Sequence, residues 1–319
     1  MKHYKNKVKM KPKVNLVTLL FVLAYALGMA QESQPKQLPG TFKNQLLFIK
    51  AEAPGGALSF FANTTGGTFL LERALHRQPA MAIVEESGNS FVELDALLAG
   101  AELPLTGKER SLLISYGSGE LECGADGMLG QAWFGRNCWT LDYLQQEFWT
   151  YQAPLSPLAS HTIPLGFLGN GQGGRITSFA SLSVEVDGEA LPLVLDTGAR
   201  LLPTPEACEA MGDTTHSALA TSFIIESVFE EWRAAHPEWP VVEQADSELG
   251  NVKMIQVPEI TVAGHTVGPV WFCSRPDSQY LTYFSRFTGQ PVMGALGGSA
   301  LQYFRLTVDY PNGLAKFER

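Results

Sequence analysis

The sequence predicts an all-β fold, mainly strands with a few helices, arranged as two similar lobes. Three observations support this prediction. Apolar runs of strand length recur between Gly, Pro, Asn and Asp turns along most of the chain. Landmarks of the first half recur in the second half. About 289 residues remain after a removable N-terminal segment, which is long for one core and comfortable for two.

The elements follow from local patterns. Apolar or alternating runs predict strands at residues 46–49, 58–62, 81–84, 91–94, 181–186, 257–262, 267–272, 304–310 and 314–317. Thr204 followed by Pro205 is typical of a helix start. Apolar positions at three- and four-residue steps predict the best helix over residues 217–235. Because most segments are strands, the pattern is closer to two packed β lobes than to a βαβ design.

A pair of landmarks occurs twice. Leu129-Gly130 is followed after eleven residues by Asp142-Tyr143, and residues 296–297, again Leu-Gly, are followed after eleven residues by a second Asp-Tyr at 309–310. Each copy also has an apolar residue before its Leu-Gly pair and a Thr two residues before its Asp, Thr140 or Thr307. Such agreement is rare by chance, and it indicates a duplicated lobe.

A lone carboxylate, Asp196, lies between two apolar runs, and the turn Thr197-Gly198-Ala199 follows it. A carboxylate between buried strands is costly unless hydrogen-bond donors satisfy it. Gly198 supplies the backbone freedom for N–H groups to close around the carboxylate, and Thr197 supplies a hydroxyl. An isolated Asp-Thr-Gly is most simply an ordinary hairpin turn, so the duplicated context decides its interpretation.

Together these motifs resemble the aspartic peptidases of the pepsin and retropepsin type. In that family each lobe carries Asp-Thr-Gly on a turn, followed later by a hydrophobic-hydrophobic-Gly segment that packs behind the turn. This chain has the second element twice, at residues 128–130 and 295–297, and the first element once. The resemblance spans residues 46–319. It implies two pseudo-symmetric, pepsin-like β-barrel lobes with a cleft between them, a catalytic Asp196 held by Thr197 and Gly198, and an extended peptide bound in that cleft.

The first lobe lacks the matching carboxylate. Aligning residues 57–58 with 190–191 places Asn63 opposite Asp196, whereas aligning residues 65–66 with 197–198 places Thr64 there. The family's chemistry needs two facing aspartates that share one proton, one polarising the peptide carbonyl and one accepting a proton from water. Neither Asn nor Thr can act as that base. The nearby acids Glu52 and Glu72 are interpreted as surface strand residues.

Three hypotheses follow. The chain is a pseudopeptidase that kept the cleft and binds an extended peptide, or an active aspartic endopeptidase that uses Asp196 with an unidentified second acid. The third is a homodimer that pairs two Asp196 turns, as retroviral peptidases do. Residue chemistry favours the first hypothesis, because a single aspartate cannot polarise the peptide carbonyl and accept the proton from water at the same time.

The N-terminal segment resembles a secretory signal. Six lysines precede an apolar run at residues 14–27 that ends in Gly28-Met29-Ala30. The run is short for a membrane span, so cleavage after Ala30 and export to the periplasm or outside the cell are predicted, with an uncleaved anchor as the alternative. Residues 31–44 are predicted to be a tether. No later segment is long and apolar enough to cross a bilayer.

The net charge of the chain limits the classes of molecule that it can bind. Removing residues 1–30 leaves 17 Lys plus Arg against 32 Asp plus Glu, a net charge of −15. Such a surface repels nucleic acid and anionic lipid. The resemblance to aspartic peptidases implies that the partner is a peptide or protein. The six histidines show no paired metal spacing, and no phosphate loop or nucleophile elbow is present. No metal and no cofactor are predicted.

The predicted lobes are residues 45–152 and 176–319, joined by a linker at 153–175 that is rich in Gly and Pro. Residues 111–121 superficially resemble the flap hairpin of pepsin-like enzymes, with Tyr116 at its tip, but a plain hairpin is favoured because the landmark at Gly130 follows closely.

The four cysteines divide two and two between the predicted lobes, Cys123 with Cys138 and Cys208 with Cys273. An even count in an exported chain suggests disulfides, and pairing within each lobe is the simplest of the three connectivities. Free buried thiols are the alternative.

Overall fold

A computed structural model of the chain describes residues 35–53, 55–78, 82–93, 111–116, 121, 124–151 and 153–319. Among the described residues, strands are the main regular structure and helices are few, as the sequence predicted, and residues 35–319 form one compact unit. The predicted signal at residues 1–30, Cys123 and residues 117–120 of the predicted hairpin lie outside the described residues. The predicted lobe and linker boundaries stay predictions.

The strands are β1 Lys36–Leu38, β2 Gly40–Lys43, β3 Leu46–Ala51, β4 Leu58–Ala62, β5 Phe69–Leu71, β6 Ile83–Glu86, β7 Asn89–Glu93, β8 Ser111–Ser115, β9 Gly127–Leu129, β10 Cys138–Asp142, β11 Glu147–Tyr151, β12 Thr162–Pro164, β13 Ser181–Val186, β14 Glu189–Leu195, β15 Arg200–Leu201, β16 Leu219–Ala220, β17 Ser222–Ile225, β18 Val241–Val242, β19 Met254–Val257, β20 Ile260–Val262, β21 His265–Val267, β22 Val270–Arg275, β23 Gly294–Leu296, β24 Arg305–Asp309 and β25 Leu314–Glu318.

The helices are α1 Glu72–Leu75, α2 Gln131–Phe134, α3 Pro205–Met211, α4 Glu226–Ala235, a π-helix Ser278–Tyr283, a 3₁₀ helix Phe284–Arg286 and α5 Gly298–Leu301. Thr204 caps α3 as predicted, because its side chain accepts a hydrogen bond from the Ala207 N–H. Among the described residues, no helix has the length and apolar character that a bilayer crossing requires.

Two large sheets repeat one pairing scheme. In the eight-stranded sheet the order is β2-β3-β4-β9-β5-β8-β7-β6, and in the nine-stranded sheet it is β18-β19-β22-β17-β23-β14-β13-β20-β21. The run β3-β4-β9-β5-β8-β7 pairs antiparallel, parallel, antiparallel, parallel and antiparallel. The run β13-β14-β23-β17-β22-β19 has the same sequence of pairings. The two halves of the chain therefore share one topology.

A third sheet joins the halves. Its order is β1-β11-β10-β24-β25-β12, so β10 of the first half pairs with β24 of the second. The two landmark threonines face each other in this pairing, and their hydroxyl oxygens, Thr140 Oγ1 and Thr307 Oγ1, are 2.8 Å apart. The pairing of equivalent strands gives the molecule an approximate two-fold relation at this point.

Aromatic side chains fill much of the core. Trp133 stacks on Trp139 with ring centroids 4.2 Å apart, and Trp139 stacks on Phe148 at 5.4 Å. In the second half, Trp232 of α4 packs edge-on against Phe272 of β22. These side chains are buried, and their offset or edge-on contacts stabilise the core beyond the burial of apolar area alone.

The predicted helix over residues 217–235 is wrong in its first half. The helix begins at Glu226, and Ser222–Ile225 is strand β17, fully buried between β22 and β23. A run of Phe-Ile-Ile fits the apolar positions of a helix and the interior of a sheet equally well. Sheet partners that lie far along the chain decided between them.

The cysteine prediction is also corrected. Cys138, Cys208 and Cys273 are free and buried, so no disulfide is seen among the described residues and Cys208 is not joined to Cys273. Cys273 lies in a central strand, where it approaches Thr221 Oγ1 at 3.3 Å, whereas Cys208 lies on α3 beside Asp213. Each thiol packs as a small apolar side chain in its own environment.

Candidate functional site

The Asp196 turn follows β14 at the point where this strand pairs with β23. The Asp196 N–H donates to the Leu296 carbonyl at 3.0 Å, which ties the turn to the second Leu-Gly landmark. The carboxylate, 6% exposed, accepts a hydrogen bond from the Gly198 N–H at 2.9 Å. The Ala199 N–H donates back to the Asp196 carbonyl at 3.3 Å. The carboxylate therefore has a hydrogen-bond donor within its own turn, and a second hydrogen bond closes the turn itself.

The turn after β4 repeats this arrangement. The Asn63 N–H donates to the Leu129 carbonyl at 3.0 Å, and the Asn63 Oδ1 accepts from the Thr65 N–H at 2.9 Å. The Gly66 N–H closes the turn on the Asn63 carbonyl at 3.0 Å. Asn63 therefore has the three backbone relations that Asp196 has, with a carboxamide in place of the carboxylate.

Two threonines join the turns. The Thr64 N–H donates to Thr197 Oγ1, and the Thr197 N–H donates to Thr64 Oγ1, both at 3.1 Å. Each hydroxyl also donates across the interface, Thr64 to the Leu195 carbonyl at 2.8 Å and Thr197 to the Ala62 carbonyl at 3.0 Å. Both threonines are buried, so this reciprocal set is fully satisfied and shielded from water.

The reciprocal bonds decide between the two alignments that the sequence left open. Because Thr64 is bonded as the counterpart of Thr197, the residue before each threonine must correspond, and Asn63 stands opposite Asp196. A Cβ added at Gly198 would lie 2.4 Å from Asn63 Nδ2. The Asn63 carboxamide therefore lies against the Asp196 turn, and only glycine leaves room for it.

The Leu-Gly landmarks pack behind the turns. β9 pairs parallel with β4, and β23 pairs parallel with β14. A Cβ at Gly130 would lie 2.1 Å from the Gly66 carbonyl oxygen, and one at Gly297 would lie 2.0 Å from the Thr221 carbonyl oxygen. The glycine of each landmark is required because another backbone approaches it this closely.

Burial dominates the electrostatics of the site. Desolvation raises the pKa of Asp196 from 3.8 to about 6, against hydrogen bonds from Thr65, Gly198 and Ala199 and the positive charge of Arg275, which lower it. The carboxyl group is therefore protonated near pH 5 and mostly ionised at pH 7. A carboxyl group that titrates in this range can donate or accept a hydrogen bond according to the pH.

The remaining predicted residues lie away from this centre. Tyr116 is 56% exposed and follows β8, which pairs with β5 and β7 and not with a strand of a local hairpin. Residues 117–120 are outside the described residues. Glu52 and Glu72 are exposed as expected, but neither is in a strand, because Glu52 follows the end of β3 and Glu72 begins α1. Within the described part of the chain, no group of three or more His, Cys, Asp or Glu side chains is placed to hold a metal ion.

Sequence analysis missed three residues near the site. The Thr65 hydroxyl donates to Asn63 Oδ1 at 3.0 Å and influences Asp196, while Arg275 and Tyr280 both interact electrostatically with Asp196. The signal for Thr65 in the sequence was its position, because it aligns with Gly198 of the second turn. Arg275 ends the apolar strand β22, and a lone Arg in such a position could have marked a buried charge.

The duplicated sheets and the paired turns define a two-lobed β protein whose site lies where the lobes meet. No protein-family model matches the chain, and no curated protein matches it. Among solved structures, the chain is similar to the crystal structure of an aspartic proteinase from Irpex lacteus, with 12% identity and a TM-score of 0.48 over 89% of this chain and 97% of that chain. It is also similar to a retropepsin-like aspartic protease from Rickettsia conorii, with 10% identity and a TM-score of 0.29 over 49% of this chain and 89% of that chain. At these values neither likeness assigns the chain to a family.

Proposed function

We propose that this protein is an exported, aspartic-peptidase-like peptide-binding protein, a pseudopeptidase that holds an extended peptide between its lobes. One observation carries the proposal. The reciprocal hydrogen bonds of Thr64 and Thr197 set the Asn63 carboxamide opposite the Asp196 carboxylate, where catalysis would need a second carboxylate.

The chemistry of the carboxamide explains the loss of hydrolysis. Asn63 Oδ1 already accepts hydrogen bonds from the N–H and the hydroxyl of Thr65, and an amide has no proton affinity near neutral pH. Of Asn63 and Asp196, only Asp196 could accept a proton from a water molecule held between the turns. No second acid of the pair would then polarise the peptide carbonyl, because the two roles cannot be divided.

The same groups suit peptide binding. Asp196 can accept from a peptide N–H when ionised and donate to a peptide carbonyl when protonated. The Asn63 Nδ2 donates to no atom of the described residues, so it is available to a carbonyl oxygen. Backbone hydrogen bonds recognise an extended chain whatever its side chains are, and side-chain pockets then set specificity. The signal-like residues 1–30 support export of the protein.

An active peptidase is the second candidate, and the raised pKa of Asp196 favours it, since buried carboxyl groups with perturbed pKa values cluster at catalytic sites. In that case Asp196 acts with an unidentified second acid or with Asp196 of a second copy. The homodimer version requires Thr197 to leave Thr64, because the reciprocal bonds already fill the place that a partner turn would take.

Cleavage of labelled, unfolded casein between pH 3 and 7 tests the proposal. We compare the wild-type chain with Asp196→Asn, Asn63→Asp and the double variant Asn63→Asp/Asp196→Asn. The pseudopeptidase predicts no cleavage by the wild type, acquired cleavage at acid pH by Asn63→Asp, and loss of it in the double variant. The double variant is the matched control because it keeps one carboxylate, on the opposite turn.

Cleavage by the wild type that disappears in Asp196→Asn would overturn the pseudopeptidase in favour of the active enzyme. Binding is measured separately, by fluorescence anisotropy of labelled extended peptides with the wild-type chain. A folded protein that neither cleaves casein nor binds any of the peptides would overturn both candidates.

A further inference from the structure

A cavity of about 520 Å³ lies where α2, residues 173–178 and the turn after β24 meet. Its volume is in the range of small-molecule binding sites. Arg136 and Arg175 line this cavity, and no Asp or Glu is among the described residues that do so. The whole chain has 32 Asp plus Glu and a net charge of −9. The cavity wall therefore differs in charge from the acidic chain around it, and its local potential favours an anion.

Arg175 is held in the cavity wall by neutral groups. Its guanidinium lies over the Phe167 ring, 3.7 Å from the ring centroid, and its Nη1 donates to the Gly135 carbonyl at 3.4 Å. Its Nη2 donates to the Tyr310 carbonyl. The carboxylate of Asp309 acts on Arg175 electrostatically, but it is not in ion-pair contact with the guanidinium and does not line the cavity. The ring and the two carbonyls thus fix the guanidinium without a contacting counter-charge.

Three further lining residues add unused hydrogen-bond donors. Arg136 follows the last turn of α2, is exposed, and forms no ion pair or hydrogen bond with the described residues. Gln131 Oε1 accepts from the Ser178 N–H at 2.9 Å, which orients the Gln131 carboxamide. Within the described part of the chain, neither Gln131 Nε2 nor Ser178 Oγ donates a hydrogen bond. The cavity therefore combines two guanidinium groups with a free amide and a free hydroxyl.

The walls of the cavity are fixed by contacts between segments that lie far apart in the chain. Residues 173–178 are tied to α2 by the hydrogen bonds of Ser178 to Gln131 and of Arg175 to Gly135. A Cβ added at Gly135 would lie 2.4 Å from the Ser178 Cβ, so only glycine allows the two segments to pack this closely. Donors that are already in place lose little conformational freedom when a ligand binds.

We infer that this cavity binds a tetrahedral oxyanion, a phosphate or sulfate group, at a site separate from the Asp196 turn. One guanidinium fills the two oxygens of a planar carboxylate, whereas two guanidinium groups with amide and hydroxyl donors match the three or four oxygens of a tetrahedral group. The net charge of −9 disfavours polyanions and anionic membranes, so the ligand is a small molecule or a free ion. Neither Asn63 nor Asp196 lines the cavity, and the inference does not depend on the proposed peptide binding.

Isothermal titration calorimetry of the full chain at neutral pH and constant ionic strength tests the inference. The ligands are phenyl phosphate, phenyl sulfate, inorganic phosphate, inorganic sulfate and benzoate. Phenyl sulfate and benzoate have the same ring and the same single negative charge, so their comparison isolates the shape of the anion. The variants are Arg136→Gln, Arg136→Lys and Arg175→Gln. Arg233→Gln is the matched control, because Arg233 is an exposed arginine of α4 that pairs with Glu243 and does not line the cavity.

In the wild type and in Arg233→Gln, phenyl phosphate or phenyl sulfate should bind about tenfold more tightly than benzoate, the scale of one charge-assisted hydrogen bond. Arg136→Gln and Arg175→Gln should each weaken binding of the preferred ester about tenfold. Arg136→Lys should keep part of the affinity, because lysine retains the charge and loses the planar fork. Tighter binding of an ester than of its inorganic ion identifies an esterified ligand, and equal binding identifies the free ion; both results support the site.

Benzoate that binds as tightly as both esters would overturn the tetrahedral group. Unchanged affinity in Arg136→Gln, or no binding of the four oxyanions by the wild type in the millimolar range, would overturn the site. Loss of its bonds to Gly135 and Tyr310 can unfold Arg175→Gln, which circular dichroism would detect. Arg136 has no such bonds to the described residues, so the comparison of the wild type with Arg136→Gln then decides the question by itself.

Discussion

Replacing Asp196 by Asn should remove a pH-dependent loss of stability. The folded protein raises the pKa of this carboxyl group from 3.8 to about 6, chiefly by burial. The folded state therefore binds the proton more tightly than the unfolded chain does. Stability from this group is fully present below pH 3.8 and is lost as the pH rises through about 6.

The size of the loss follows from the shift. About two pH units of pKa difference correspond to about 3 kcal/mol of unfolding free energy. Asparagine has nearly the same shape and can still accept the Gly198 hydrogen bond, but it does not titrate. The difference in unfolding free energy between Asp196→Asn and the wild type should therefore move by about 3 kcal/mol in favour of the variant between pH 3.5 and 7.

Urea unfolding at half-unit steps of pH, followed by circular dichroism, measures this difference. Other titrating groups are common to both proteins and cancel when the two curves are subtracted. Glu189→Gln, which removes an exposed carboxylate at the start of β14, controls for the loss of one charge. A difference curve that stays flat from pH 3.5 to 7 would refute the argument, because Asp196 would then not be titrating as a desolvated group.

Three further predictions concern the hydrogen bonds and close backbone contacts of the two turns and the state of the cysteines. Thr64→Val should lower the unfolding free energy measured in urea by about 2 to 3 kcal/mol, because it leaves the buried Thr197 N–H and the Leu195 carbonyl unsatisfied. The double variant Thr64→Val/Thr197→Val should lose less than the sum of the two single losses. Losses that add strictly would contradict a shared hydrogen-bond network. Gly130→Ala should unfold at lower urea than the wild type, whereas Gly67→Ala, where a Cβ meets nothing closer than 3.4 Å, should not; equal midpoints would contradict the close approach. Cys208 and Cys273 should be alkylated separately after unfolding without reductant, and a linked pair in the mass spectrum would contradict the free thiols.

Some of the fold could be predicted because its signals are local. The hairpin of β13 and β14 has strands on both sides of an Asp-Gly turn, and the prediction of 181–186 matches the observed strand. The Thr204 cap was also correct, since it depends on residues within one helical turn. The helix predicted from residue 217 was wrong for β17, because an apolar run does not specify its partner strands.

The sequence by itself determined that the lobe is duplicated and that only one turn carries an aspartate. Residue types and their spacing contain that information directly, as the two Leu-Gly and Asp-Tyr landmarks show. Only the tertiary structure decided that Asn63, and not Thr64, stands opposite Asp196, and that the charge of Arg275 acts on Asp196. The physical reason is that these relations depend on hydrogen bonds and charges between segments 80 to 130 residues apart, roughly, whose alignment is set by sheet pairing and not by neighbouring residues.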